Sequence, residues 1–420
     1  MVQYSNLSRL MGTKFVRKNV ASLKRQMSMK KFLFFVASIL FIPFCAYAQT
    51  QKEIEQYVSF LKNENTTAKD YVLSLFESND IVILCERDHR ELTQYKLFLE
   101  IIRDQYFIDN VGIVFTEVGA RNLNPELNIF LQNKHLTELE INKQLLYFQR
   151  NCMFPLWEKS NFSYFLKGIY DINKEITQKK VEMYPTDVFY IEGQPTSEKI
   201  RDMVFTRVVK RDSLMADYII SRFEQLKQET SRRKALVIMN YRHAFRFPVY
   251  DDNGRRTDNT GQYLFDKYPK KVANVMINNI IDISNTSTGD IFGVVQDGKW
   301  DAAFKKTDKE NLGFNFTGSP FGNDIFDYWV YKNDFTYKNV FNGFIFYQPF
   351  EKFEIAVGLS GLMDNGFYEE YVERNNLYYQ AFNREMPPPV KDEIMRLNEI
   401  RISEENELDK IKIKIEKWLK

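Results

Sequence analysis

Two of the chain's three histidines, His89 and His243, follow closely on strongly apolar runs. The run Ile81-Val82-Ile83-Leu84-Cys85 stops at Glu86-Arg87-Asp88-His89, where every residue is ionisable. Glu117 follows a second apolar run, Asp187 the end of the expected strand Lys180–Tyr184, and His243 a third apolar run. A histidine held by a carboxylate is a good general base at neutral pH. Glu86 would fix the tautomer of His89 and raise its basicity. Glu117 would share a water or proton with it. A protonated His243 would steady an oxyanion or protonate a leaving group. Together these groups suit water-mediated hydrolysis of an ester or related bond. Two histidines with up to three carboxylates also make an adequate ligand set for a divalent metal. The residue types leave both chemistries open. His135, in the polar Asn133-Lys134-His135, reads as a solvated surface residue.

These residues are far apart in sequence, so secondary structure must gather them. Ile81–Cys85 is predicted as a buried parallel strand, with a helix over Leu92–Asp104 and a second strand over Val111–Thr116. That β-α-β unit places Glu86 and Glu117 at the same edge of two parallel strands. Further strands are expected at Lys180–Tyr184, Ala235–Met239, Val272–Ile277 and Val340–Gln348. A long helix is expected over Ser197–Lys227, carrying Arg211 and Asp212, and a short one over Gln262–Tyr268. Residues 49–79 read as two helices, and 122–178 as a helical insertion rich in aromatics. Residues 300–335 read as loops. The predicted class is α/β: a three-layer α/β/α domain over 49–383 with a mostly parallel central sheet, and a charged C-terminal helix over 384–420. In such sheets, ligands bind where the strands end.

The ends of the chain and its charge bound the function further. Lys30-Lys31, the apolar run Phe32–Phe44 and Ala46-Tyr47-Ala48 read as a secretory signal peptide over 1–48. The expected location is therefore periplasmic or secreted, with no membrane attachment after cleavage. Residues 1–48 hold eight Lys/Arg and no acidic residue, against 58 and 56 in the whole chain, so the remainder is mildly acidic. A mildly acidic chain gives no electrostatic reason to expect nucleic acid; the expected partner is a small-molecule substrate. Cys85 and Cys152 form no disulfide framework. There is no G-x-S-x-G elbow, phosphate loop or G-x-G-x-x-G.

The ordered set Cys85-Glu86-Arg87-Asp88-His89, Phe115-Thr116-Glu117, Thr186-Asp187, Arg211-Asp212-Ser213-Leu214-Met215-Ala216 and Asn240-Tyr241-Arg242-His243 resembles the erythromycin esterase-like proteins, a group related to ChaN-type haem-binding and TIKI/TraB-like proteins. Gly261-Gln262-Tyr263-Leu264 is similar to the group's helix after the histidine strand. The resemblance spans residues 70–350. It implies His89 as the base for water, Glu86 and Glu117 orienting it, and His243 completing a metal-free catalytic site. Asp187, Arg211, Asp212 and Arg242 would line the substrate pocket. Three positions depart from the pattern: Cys85 stands for glycine, Asn240 for a histidine, and Phe98 where the esterases carry a basic residue. A macrolide is not the expected substrate. The ChaN-type relation implies a haem- or metal-binding protein as an alternative, and the departures allow an inactive surface interaction scaffold.

Overall fold

A computed structural model describes residues 53–420 apart from 178, 189–193, 252, 283–291, 330–333 and 403–407. The proposed signal peptide lies outside the described residues. From Gln51 to Lys420 the chain forms one compact unit. Its centre is a seven-stranded sheet: β1 (Ile81–Glu86), β2 (Ile113–Ala120), β3 (Glu182–Asp187), β4 (Ala235–Asn240), β5 (Val272–Ile277), β6 (Asn311–Asn315) and β7 (Gly343–Tyr347), in the order β6-β7-β5-β1-β4-β2-β3. All pairings are parallel except β6 with β7. The mixed α/β class with a mostly parallel sheet is as the sequence predicts.

Every residue of β1, β2 and β5 is buried, which is why these strands read as mostly apolar runs. One face of the sheet packs Val82, Leu84, Val114, Leu236 and Val275 against helices including α3 (Thr93–Arg103). The other packs Ile83, Phe115, Val237 and Met276 against α7 (Ser197–Glu229) and a cluster of phenylalanines. The early helices are α1 (residues 53–63) and α2 (Ala68–Leu75). The helical insertion consists of α4 (Asn124–Gln132), α5 (Glu138–Asn151) and α6 (Asn161–Glu175).

Three expectations change. β1 and β2 are not neighbours: β4 lies between them and pairs in parallel with both, so Glu86 and Glu117 still leave by the same edge. Residues 300–335 are not all loop. They include a helix, Lys299–Thr307, and the antiparallel strand β6, whose central residues are buried against β7. The phenylalanines there lack a helical or strand period because they fill a shared core: Phe304, Phe314, Phe316 and Phe321 pack with Phe344. The charged tail is not one continuous helix. Its last segment, Leu408–Leu419, buries Ile411 and Ile415 against Val294, Ala302 and Phe350 of the body.

Candidate active site

β1, β4, β2 and β3 are consecutive in the sheet, so their C-terminal ends form one rim. Glu86 closes β1 opposite Asn240 of β4. Helix α3 starts just beyond, where Glu91 accepts from the backbone N–H groups of Thr93 and Gln94 at 2.7 and 3.0 Å. This fixes the loop that carries His89. In β2 the register shifts between Thr116 and Ala120, at Glu117. Gly119 there adopts φ +109°, and a Cβ would stand 2.8 Å from Phe162 and Pro185; glycine alone fits such a turn. β4 leaves the sheet through Tyr241 at φ 48°, which starts the short turn that seats His243. Asp187 is the last residue of β3, not a turn residue beyond it, and is fully buried.

His89 and His243 meet the same carboxylate. His89 Nε2 and His243 Nε2 each lie 3.8 Å from Glu117 Oε1. His89 Nδ1 lies 3.2 Å from Glu86 Oε1, but off the line of an N–H bond, so this contact is electrostatic. Glu117 Oε2 accepts from the backbone N–H of Asn240 at 2.7 Å. The Asn240 side chain donates to the carbonyl of Arg87 at 2.6 Å. The residue that departs from the histidine pattern thus clamps β4 to the end of β1.

At the centre stands Arg211 of α7. It donates to Asp187 Oδ2 at 2.6 Å, Asp187 Oδ1 at 3.3 Å and Glu117 Oε1 at 2.8 Å, and its Nη1 lies 3.0 Å from His243 Nε2. A guanidinium only donates, so His243 Nε2 accepts, and its Nδ1–H points to Asp212 Oδ1 at 2.6 Å. Asp212 also accepts from Arg242 at 2.9 Å and from the backbone N–H of Thr260 at 2.9 Å, where it caps the helix Thr260–Lys267. One Nη1 proton of Arg211 is left uncommitted among the described residues.

The charges follow from this packing. Burial works against ionising Glu117, but the Arg211 guanidinium, with His89, outweighs it and holds its pKa well below the usual carboxylate range. Asp212 is held low in the same way, burial being overcome by His243 and Arg242. Burial pushes the Glu86 carboxyl up, with His89 acting against it. Burial also disfavours a charge on His89, yet Glu86 and Glu117 together push its pKa up to about 10. The ring is therefore an imidazolium at neutral pH.

All eight residues predicted for the site are on or beside this rim, with Arg242 reaching it through Asp212. Arg87, from the same charged run, is not part of it: the side chain is wholly buried and binds Glu91, Asn278 and the carbonyl of Tyr347. His135 is exposed, as expected. Sequence reasoning missed Tyr95, Trp157 and Asn161, which line the far side of Glu86 and His89. Their only signal was a tyrosine on the otherwise apolar face of α3. A divalent metal does not fit: a guanidinium stands between Glu117, Asp187 and His243, and both nitrogens of His243 are taken. Among the described residues, no three of His, Cys, Asp and Glu are grouped to hold one. A groove of about 870 Å³, lined in part by Phe60, Tyr71, Arg246 and Asn342, lies elsewhere and shares none of these residues.

No family model matches the sequence, and no curated protein matches it. Solved structures show a distant likeness of fold. A Bacillus cereus protein is 10% identical, with TM-score 0.41, over 70% of this chain and 96% of its own. A succinoglycan biosynthesis protein is 10% identical, with TM-score 0.44, over 71% and 97%. A mutant of erythromycin esterase EreC in its open conformation is 12% identical, with TM-score 0.43, over 65% and 91%. Likeness at this level assigns neither family nor activity.

Proposed function

We propose that this chain is a secreted or periplasmic hydrolase, in which His89 and its carboxylates activate water against an ester or related bond of a small molecule. One observation carries the reading: Glu86, His89, Glu117 and His243 gather at one end of four adjacent strands around a buried arginine. His89 becomes a base when Nε2 gives up its proton to solvent while Nδ1 keeps its own beside the charge of Glu86. Nε2 then takes a proton from water as the water oxygen bonds to the carbonyl carbon. When that carbon expels the leaving oxygen, His89 returns the proton to it. Glu117 orients the water. The uncommitted Nη1 proton of Arg211 faces the developing oxyanion, a task the sequence reading gave to a protonated His243. Here His243 and Asp212 hold Arg211 in place instead. The location is supported by the Lys30-Lys31, Phe32–Phe44 and Ala46-Tyr47-Ala48 pattern; among the described residues no helix is long and apolar enough to cross a membrane. The test is a panel of aryl and alkyl esters with wild type and His89→Ala. Hydrolysis by the wild type, lost in the variant, supports the reading; equal rates, or none from either, refute it.

A further inference from the structure

Glu86 Oε1, the oxygen beside His89 Nδ1, is also the acceptor of the Tyr95 hydroxyl. Tyr95 accepts in turn from Asn161 Nδ2 at 2.6 Å, and Asn161 Oδ1 accepts from Trp157 Nε1 at 2.8 Å. An indole N–H only donates. Asn161 must therefore show its oxygen to Trp157 and its NH2 group to Tyr95, which leaves the Tyr95 proton for Glu86. The direction of all three bonds is fixed, and the chain of donors ends on the carboxylate. Glu86, Tyr95, Trp157 and Asn161 are each at most 6% exposed, so water does not substitute for a lost member. The Trp157 ring stands edge-on to His89 at 5.1 Å, so the residue that begins the chain also walls the imidazole.

We infer that Tyr95, backed by Asn161 and Trp157, is a positioning residue that keeps Glu86 a carboxylate and thereby keeps a proton on His89 Nδ1. The inference deepens the hydrolase reading and rests on it for its consequence in catalysis. A base working through Nε2 needs its remaining proton on Nδ1; if that proton crosses to Glu86, the neutral ring carries its proton on Nε2 and cannot accept one from water. A buried carboxylate stays ionised when donors point at it. Donors in series polarise one another, so the amide and indole behind Tyr95 strengthen its bond to Glu86. The sequence supplies this chain from two places: Tyr95 from the apolar face of α3, Asn161 from the start of α6 and Trp157 from the segment just before it.

The charged and titratable groups around the pair are Asp88 and Arg90 on its own loop, Glu117 from β2, Arg211 and the neutral His243 across Glu117, and Lys159 over the Trp157 ring. Tyr95→Phe changes none of them. With three histidines in the chain, side-chain 15N and 13C spectra of the ligand-free protein resolve His89, assigned by its loss in His89→Gln. At pH 7 the wild-type ring is expected as an imidazolium. In Tyr95→Phe the ratio of imidazolium to neutral ring falls roughly tenfold or more at each pH, read as a His89 titration midpoint lower by about one pH unit or more, with the neutral ring's proton on Nε2. Trp157→Phe keeps a ring beside His89 but removes the first donor, and gives a smaller shift in the same direction. An unchanged His89 titration curve through the alkaline range in the folded variants overturns the inference. If Tyr95→Phe does not fold, Trp157→Phe alone decides it. The spectra need no substrate, so a wild type that hydrolyses no ester refutes the hydrolase reading and leaves this test standing by itself.

Discussion

Replacing Arg211 with methionine keeps most of the side chain's length and removes its charge. The guanidinium is 10% exposed, and the carboxylates it serves, Glu117 and Asp187, are 4% and 0% exposed. Removing one partner of a buried ion pair costs about 3–5 kcal/mol, because the other charge is left without compensation. Arg211 serves two carboxylates and an imidazole, so we expect a loss of about 4 kcal/mol at pH 7. The pH dependence identifies the cause. Glu117 has its folded pKa depressed, so its contribution to stability is fully present above the unfolded value of about 4.3 and is lost as pH falls through the folded one. Without Arg211, burial prevails at Glu117 and favours its protonated form. The variant should then recover part of its stability as pH drops from 7 to 5, which the wild type does not. Urea unfolding of both proteins at the two pH values measures this. A loss under about 1 kcal/mol, or the same loss at pH 5 and pH 7, would show that Arg211 is not the charge that holds the strand ends together.

Other outcomes follow from the same geometry. His89 has a folded pKa raised from 6.5 to about 10, so the stability it contributes is full below 6.5 and declines as pH rises through about 10; His89→Gln should flatten that part of the wild-type urea profile. If Nε2 of His89 is the base, kcat/KM for any ester hydrolysed should climb with pH toward the same alkaline midpoint, and a rate that falls over this range would assign His89 as an acid. Asp212→Ala removes the acceptor of His243 Nδ1–H and should cost about 1–3 kcal/mol in thermal or urea unfolding. Gly119→Ala forces a side chain into φ +109° against Phe162 and Pro185 and should destabilise by about 1–3 kcal/mol or more, where an exposed glycine such as Gly254 should tolerate alanine better.

The sequence made the strand ends visible because each parallel strand is buried on both faces. Ile81–Cys85 and Ala235–Met239 therefore read as unbroken apolar runs, and the first polar residue marks the exit from the sheet. That is how Glu86, Glu117, Asp187 and His243 were found without knowing the strand order. The antiparallel strand β6 was not legible, since Gly313 and Asn315 break its pattern to make room for Tyr71, which reaches across from α2.

By itself, then, the chain determined the α/β class, the long helix bearing Arg211 and Asp212, and where β1 and β4 leave the sheet. Those follow from local apolar period and chain reversal, which neighbouring residues fix. Tertiary structure decided which strands adjoin, that Arg211 stands where a metal would have to sit, that Asn240 clamps β4 to the end of β1, and that Tyr95, Asn161 and Trp157 stand behind Glu86. Hydrogen-bond direction and proton position depend on distances of a few tenths of an ångström between residues remote in sequence, and no periodicity encodes them.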